Sequence, residues 1–307
     1  MRVIFMGNPE FSIPTIKAIQ NSRHDLLAIV SNPPKPIGRN RLLHLSPVGK
    51  YAREKEIPLI EAPTVNSEIL KTQLADLYPD IFIVVAYKIL PSSIINIPKY
   101  GSINLHASLL PKYRGAAPIQ WAIMNGDKKT GITVFQIAPS VDTGSIISQK
   151  EIRIFNDDNM QTLGKRLCLN GAELIIQALK KIEKGENGIP QDSNHATRAP
   201  KIEKNMTVID WRWPAEKIHN WIRGLTPKPG MITFLNKKRI RIYATKVLGG
   251  SHNTPGMVID IHSDSIVVST GKGLLAFSEI QLEGKKKLLV SEFLNGNAIN
   301  IGLILGE

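Results

Sequence analysis

Arg2-Val3-Ile4-Phe5-Met6-Gly7, followed by Asn8-Pro9-Glu10, opens the chain and decides how its first half is read. An apolar run that stops at a glycine reads as a buried strand. Asn8, Pro9 and Glu10 then supply a capping residue, a proline for the first helical position and an acid for the first turn, which predicts a helix start. Phe11, Ile13, Ile16 and Ile19 keep roughly helical spacing, and Asp25–Ser31 is the next apolar run. Strand, helix, strand implies an α/β fold with a mostly parallel sheet and helices on its faces.

The same alternation continues outward from this start. Residues 32–45 form a loop rich in Pro, Gly and basic residues, and Ser46-Pro47 caps a helix through about Lys55. Leu59-Ile60 is a brief strand and Asn66–Asp76 a helix. Asp80–Ala86 is a continuous apolar run, as expected of a central strand covered on both faces. Gly101–His106 and Gly131–Ile137 are further strands. Pro118–Asn125 is a helix ended by Gly126, and Thr162–Lys181 is a long amphipathic helix. Near Lys184 the texture changes. Residues 185–205 are polar and aperiodic and read as a linker. Beyond it, Asp210–Leu225 contains a helix. Short β-type runs follow at 231–235, 239–247, 257–261, 265–269 and 274–281, a spacing that suggests a small β-barrel. The expected organisation is therefore a domain over 1–184, a linker over 185–205 and a second domain over 206–307.

At 307 residues, the chain is long enough for about two domains. Its apolar runs are strand-sized and fall far short of the ~20 residues of a membrane span. The opening lacks a signal-peptide pattern. A single cysteine, Cys168, excludes an intramolecular disulfide and a Cys-based zinc site. The expectation is a cytoplasmic protein with no membrane partner, no metal and no requirement for more than a monomer. The net charge of +13 is compatible with a polyanionic partner or with a solvated basic surface. Basic residues outnumber acidic ones 26 to 18 up to Asn205 and 13 to 8 beyond it, so both parts share the excess.

Chemistry concentrates in Gly101-Ser102-Ile103-Asn104-Leu105-His106-Ala107-Ser108-Leu109-Leu110-Pro111. Residues two apart in a strand share a face, so Asn104 and His106 project together at the strand's carboxyl end. Open parallel sheets place their ligands there. Asp142, in Pro139-Ser140-Val141-Asp142-Thr143-Gly144, lies in a turn after another apolar strand and could orient an imidazole. Taken singly, each of these is more often structural than catalytic. Together they define a polar strand-end site with an imidazole and a carboxylate, and its substrate stays open.

Asn104-Leu105-His106, Ser108-Leu109-Leu110-Pro111, Arg114-Gly115 and Asp142-Thr143-Gly144 together resemble the signature of the formyltetrahydrofolate-dependent formyltransferases. The resemblance extends over almost the whole chain. Pro36-Ile37-Gly38-Arg39 and Leu45-Ser46-Pro47-Val48 resemble a basic insertion found in the branch that formylates methionyl initiator tRNA. Ile209-Asp210-Trp211, Ile222-Arg223-Gly224-Leu225 and Pro229-Gly230 resemble the start of that branch's second domain. The resemblance implies a Rossmann-like N-terminal domain and a smaller C-terminal barrel resembling an OB fold. It implies 10-formyltetrahydrofolate as donor and the α-amine of methionyl initiator tRNA as acceptor. By position it makes Asn104, His106 and Asp142 catalytic. Ser108, Leu109, Leu110 and Pro111 match the folate segment, and the strand Ile81–Ala86 with Tyr87-Lys88-Ile89-Leu90-Pro91 matches the wall around the pterin, where Tyr87, Ile89 and Leu90 are the candidate contacts. Asn40-Arg41-Leu42-Leu43-His44 departs from the consecutive lysines that relatives often carry.

Arg39, Arg41, Lys35 and Lys50 are the candidate tRNA contacts, since Arg and Lys supply sequence-independent affinity for phosphates. Lys237, Lys238, Arg239 and Arg241 form a second basic cluster, readable as a solvated strand edge. Trp121, Trp211, Trp213 and Trp221 read as packing rather than base-stacking platforms, and Cys168 as helix packing. A formyltransferase acting on sugar-nucleotide amines and a non-catalytic RNA-binding protein are the rival readings. The basic insertion speaks against the first, and the intact Asn104/His106/Asp142 set against the second.

Overall fold

A computed structural model describes residues 1–37 and 41–306, with Ile37 described by its backbone alone. In chain order the first elements are β1 (Arg2–Gly7), α1 (Ile13–Gln20), β2 (Asp25–Ser31), β3 (Lys35–Ile37), β4 (Leu42–His44), α2 (Pro47–Glu54) and β5 (Leu59–Glu61). Next come α3 (Glu68–Ala75), β6 (Ile81–Val85), α4 (Ser92–Ile95), β7 (Ser102–His106), α5 (Pro118–Met124), β8 (Lys129–Gln136), β9 (Ile146–Arg153) and α6 (Met160–Glu183). The main sheet has the order β5-β2-β1-β6-β7-β8-β9. Its first five strands run parallel, while β8 and β9 are antiparallel to their neighbours. Every residue of β6 is buried, which is why this strand reads as an unbroken apolar run.

The first helix departs from its sequence signal. Asn8 does not cap it. Its Oδ1 instead accepts from Ser31 Oγ (3.0 Å) and Asn32 N (2.9 Å), tying the end of β1 to the end of β2. A 3₁₀ turn over Glu10–Ser12 intervenes, and α1 starts at Ile13. The caps of the next two helices agree with their sequences. Ser46 Oγ accepts from Gly49 N at the start of α2, and Ser67 Oγ accepts from Leu70 N at the start of α3.

Six elements escape the pattern. The β3–β4 hairpin lies within the Pro/Gly-rich loop, and α4 is a single turn after Pro91. Strand β9 pairs with β8 along its length although Ile146–Arg153 is half polar. Near the C-terminus, β15 (Lys287–Leu289) and α8 (Val290–Leu294) follow the last expected strand.

The chain divides into two compact units whose boundaries interleave. The first comprises Met1–Pro118, Lys129–Arg153 and Gly164–Ala199, and the second Ile119–Lys128, Ile154–Leu163 and Pro200–Glu307. The stretch read as a linker is therefore attached through Ala199 to the first unit. Ile189 bridges Ile146, and Arg198 bridges Arg114.

The second unit carries α7 (Ala215–Leu225), β10 (Met231–Leu235), β11 (Lys238–Leu248), β12 (Val258–Ile261), β13 (Ile266–Ser269) and β14 (Leu274–Leu282). The strands form one antiparallel path, β10-β11-β14-β13-β12, with β15 on β14. The chain end links the two outer strands of that path. Val258 N donates to Leu303 O and Leu305 N to Gly256 O, while Gly306 N donates to Phe234 O in β10. Inside lie Ile218, Ile222, Ile242, Val268 and Phe277, fully or almost fully buried. Trp211 joins this core, its indole donating to Thr233 Oγ1 at 3.0 Å, while Trp121, Trp213 and Trp221 pack against it half-buried. Packing is the role expected of all four tryptophans. No helix among the described residues is long and apolar enough to cross a membrane.

Candidate active site

Strand β7 presents Asn104 and His106 from one face, as its period requires, with Leu105 buried on the other side. His106 is 6% exposed. Its Nε2 lies 2.8 Å from the Tyr113 carbonyl and its Nδ1 lies 3.6 Å from Asp142 Oδ2. A carbonyl can only accept, so Nε2 carries a hydrogen. That leaves Nδ1 as the nitrogen able to gain or lose a proton, and it faces a carboxylate. Phe135 packs edge-on to the imidazole, with ring centroids 6.5 Å apart. Among the described residues no hydrogen bond engages the Asn104 amide, and its side chain is half-exposed.

Asp142 reaches His106 from a backbone conformation that costs energy. Its φ is +54°, in the left-handed region that Asp tolerates better than most residues. Oδ2 also accepts from Gly115 N at 2.8 Å, so the carboxylate is held from two sides. Gly115 itself has φ +124°, and a Cβ there would come within 2.6 Å of the Ala199 carbonyl. Only glycine lets the backbone N–H reach the carboxylate at this point.

Ser108, Leu109, Leu110 and Pro111 form the turn that follows. Ser108 is fully buried and its hydroxyl donates to Lys112 O at 2.6 Å, so its side chain is occupied within the turn. Leu110 is also buried. What this turn offers a ligand is backbone, with Leu109 and Pro111 half-buried at its edge. It is fixed by two residues that sequence reading missed. Thr133 Oγ1 donates to Ser108 O (2.7 Å) and accepts from Leu110 N (3.1 Å). Gln149 Nε2 donates to Leu110 O (2.9 Å) and to Thr133 Oγ1 (2.8 Å). Neither stands out in sequence: Thr133 hides in an apolar strand and Gln149 in the strand that the hydropathy pattern did not reveal.

The 86–91 loop follows β6, beside β7 in the sheet. Ile89 is exposed, Leu90 is buried in the core, and Tyr87 packs against that core half-buried. The Tyr87 hydroxyl has no hydrogen-bond partner among the described residues, and burial pushes it up to about 12. Lys88, in the same segment, fastens the loop. Its Nζ donates to Ala62 O (2.8 Å) and Pro63 O (2.7 Å). Burial, and then the charge of Lys35, hold the Lys88 ammonium below its usual range.

Of the expected tRNA contacts, Lys35 and Arg41 are exposed on and beside the β3–β4 hairpin. Lys50 is exposed on α2 and pairs with Glu54 at 3.6 Å. Arg39 lies outside the described residues.

An imidazole–carboxylate pair beside a free amide at the end of a parallel strand is the equipment of an acyl-transfer site. The chain matches the formyl transferase family over residues 1–179 and the C-terminal domain of formyl transferases over 201–298, and it belongs to that class. A curated relative from Caldanaerobacter subterraneus subsp. tengcongensis, a methionyl-tRNA formyltransferase, is 43% identical over 310 residues, covering 99% of this chain and 100% of the relative. The chain belongs to the methionyl-tRNA formyltransferase family. Solved structures show the same fold at lower identity. HypX from Aquifex aeolicus, in complex with tetrahydrofolic acid, aligns with a TM-score of 0.68 at 16% identity. That alignment covers 98% of this chain and 50% of HypX. The methionyl-tRNA formyltransferase from Clostridium thermocellum aligns with a TM-score of 0.57 at 16% identity, covering 92% of this chain and 98% of its own.

Proposed function

We propose that this enzyme transfers the formyl group of 10-formyltetrahydrofolate to the α-amine of methionyl initiator tRNA, with Asn104, His106 and Asp142 as its catalytic residues. The observation that carries the assignment of the trio is the His106–Asp142 approach of 3.6 Å, set against a Tyr113 carbonyl that fixes the ring's other nitrogen. The unpaired Asn104 amide and the unpaired Tyr87 hydroxyl suit a polar heterocycle and its formyl group. The folate supplies the formyl carbon, bound to N10.

The acceptor's neutral amine attacks that carbon. A C–N bond forms, the bond to N10 breaks, and one proton moves from the amine to N10. Negative charge builds on the formyl oxygen during attack. The Asn104 amide N–H donates to that oxygen, as does Nδ1–H of protonated His106. Such a donor contributes roughly 3–4 kcal/mol at the transition state. Asp142 orients the ring, stabilises its charged form and stands where it can pass the amine's proton on, directly or through water. The N-terminal unit holds this chemistry. The C-terminal β-rich unit and the basic 35–50 segment supply affinity for the tRNA backbone. We further infer a monomer working in the cytoplasm, where charged initiator tRNA and reduced folate are both present.

The test is direct. Purified protein, 10-formyltetrahydrofolate and methionyl initiator tRNA should yield formylmethionyl-tRNA. If the product forms only with an amino-sugar nucleotide in place of the tRNA, the acceptor assignment is wrong.

A further inference from the structure

Residues 189–199 bond to both the turn that carries Asp142 and the loop that carries Tyr113 and Gly115. Ile189 and Ile146 exchange both of their backbone hydrogen bonds at 2.8 Å, which anchors the segment at the start of β9. Two residues on, Gln191 Nε2 donates to the carbonyls of Asp142 (3.0 Å) and Gly144 (2.8 Å). Its Oε1 accepts from Arg114 Nε (3.2 Å) and Nη2 (2.8 Å). Farther along, Tyr113 N donates to Thr197 Oγ1 and Arg114 N to Thr197 O, both at 2.8 Å. Ala199 N returns a bond to Arg114 O at 2.7 Å.

One amide side chain thus joins the turn that carries Asp142 to the loop that carries Tyr113 and Gly115. These two loops supply both polar partners of the His106 ring and the backbone N–H that binds the Asp142 carboxylate. Asp142 needs such support, because its left-handed backbone is held only while its surroundings over-determine it. Gln191 satisfies the two carbonyls on either side of Thr143 at once, and only a side chain with two donors and an acceptor can also take Arg114.

We propose that Gln191 is a positioning residue for formyl transfer: through its paired bonds to Asp142 and Gly144 it sets the carboxylate against His106, without itself touching substrate. This rests on the functional reading above. It makes the 189–199 segment part of the active-site framework rather than a passive connection.

The variants are Gln191→Met, which removes both donors at similar volume, and Gln191→Glu, which keeps the acceptor for Arg114 and removes the donors. Each should lower kcat by about 10–100-fold, as misplacement by about an ångström does. The KM for folate should stay within about twofold. In an Asp142→Asn background the same substitutions should cost less than about threefold, because residues acting as one unit are not additive. If Gln191→Met fails to fold, the nearly isosteric Gln191→Glu carries the comparison. A kcat within about twofold of the parent, or an equal loss in the Asp142→Asn background, would overturn the proposal. Amide hydrogen exchange of Val141–Ser145 gives a second readout without turnover. Exchange should quicken at least about tenfold in either variant, and unchanged exchange rejects the proposal. Absence of formyl transfer by the parent would reject the functional reading, and exchange would still decide whether Gln191 holds the turn.

Discussion

At the scale of single residues, the two ring nitrogens of His106 have different tasks. Nε2 is committed to the Tyr113 carbonyl, so the ring's chemistry runs through Nδ1 and Asp142. His106→Ala and Asp142→Asn should each lower kcat by ~10²-fold or more, and Asn104→Ala by about 10²–10³-fold, with thermal unfolding little changed. Near-parental turnover by any of the three removes that residue from the assignment. Thr133 makes a different prediction. Its hydroxyl bonds Ser108 O, Leu110 N and Gln149 Nε2 in a buried setting. Thr133→Val keeps the shape and strands buried polar partners, which costs about 2–4 kcal/mol in a denaturant titration. A third residue should be visible in pH dependence. Burial of His219, and then the charge of Arg223, lower its pKa to about 4. The folded value lies below the unfolded one, so between them the unfolded chain binds the extra proton. The stability that neutral His219 allows is fully present above about pH 6.5 and is lost as pH falls towards 4. Thermal midpoints of the parent should therefore drop more steeply over that window than those of His219→Gln. Equal slopes would show that His219 does not titrate with unfolding.

At the scale of elements, the strands near the site are constrained by backbone approaches that tolerate no side chain. A Cβ at Gly144 would stand 1.6 Å from Gln136 O, so Gly144→Ala must push the turn after β8 away from that strand. Asp142 sits two residues earlier, and the displacement should lower kcat about as far as Asp142→Asn does. Measured kcat near the parent's would mean that the turn relaxes without moving the carboxylate. The parallel strands were legible because full burial makes them unbroken apolar runs, β6 above all. Asn104 and His106 were legible because a strand's period of two brings them to one face. Asp142 was not legible on its own, since a turn after a strand does not say which neighbouring side chain it meets. Strand β9 was hidden because Ile146–Arg153 carries no period of two: only Ser148 and Ile152 are buried, and the polar run between them is exposed. Gln191 was hidden for a related reason. A polar residue in a polar, aperiodic stretch carries no sign that its partners lie 49 and 77 residues away.

At the scale of the whole molecule, the charge of +13 and the proposed polyanionic acceptor belong together. Lys35 and Arg41 project into solvent, and among the described residues neither is neutralised by a carboxylate. Lys35 also depresses the half-buried Lys88 ammonium, so positive charge is concentrated here rather than balanced. Lys50 differs, because Glu54 already lies against it. Phosphate contacts release counterions, so log affinity for tRNA should fall linearly with log salt. Lys35→Ala combined with Arg41→Ala should make that slope shallower by about 0.7–0.9 for each contact removed, with little change in turnover at saturating tRNA. Lys50→Ala should change it less, since its charge is already partly compensated and an exposed pair contributes little to folding. Binding measured from 50 to 300 mM salt, on the order of the range over which such slopes are linear, separates these outcomes. A slope left unchanged by the double variant would take the hairpin out of the tRNA interface and leave the C-terminal β-rich unit to supply the electrostatic affinity.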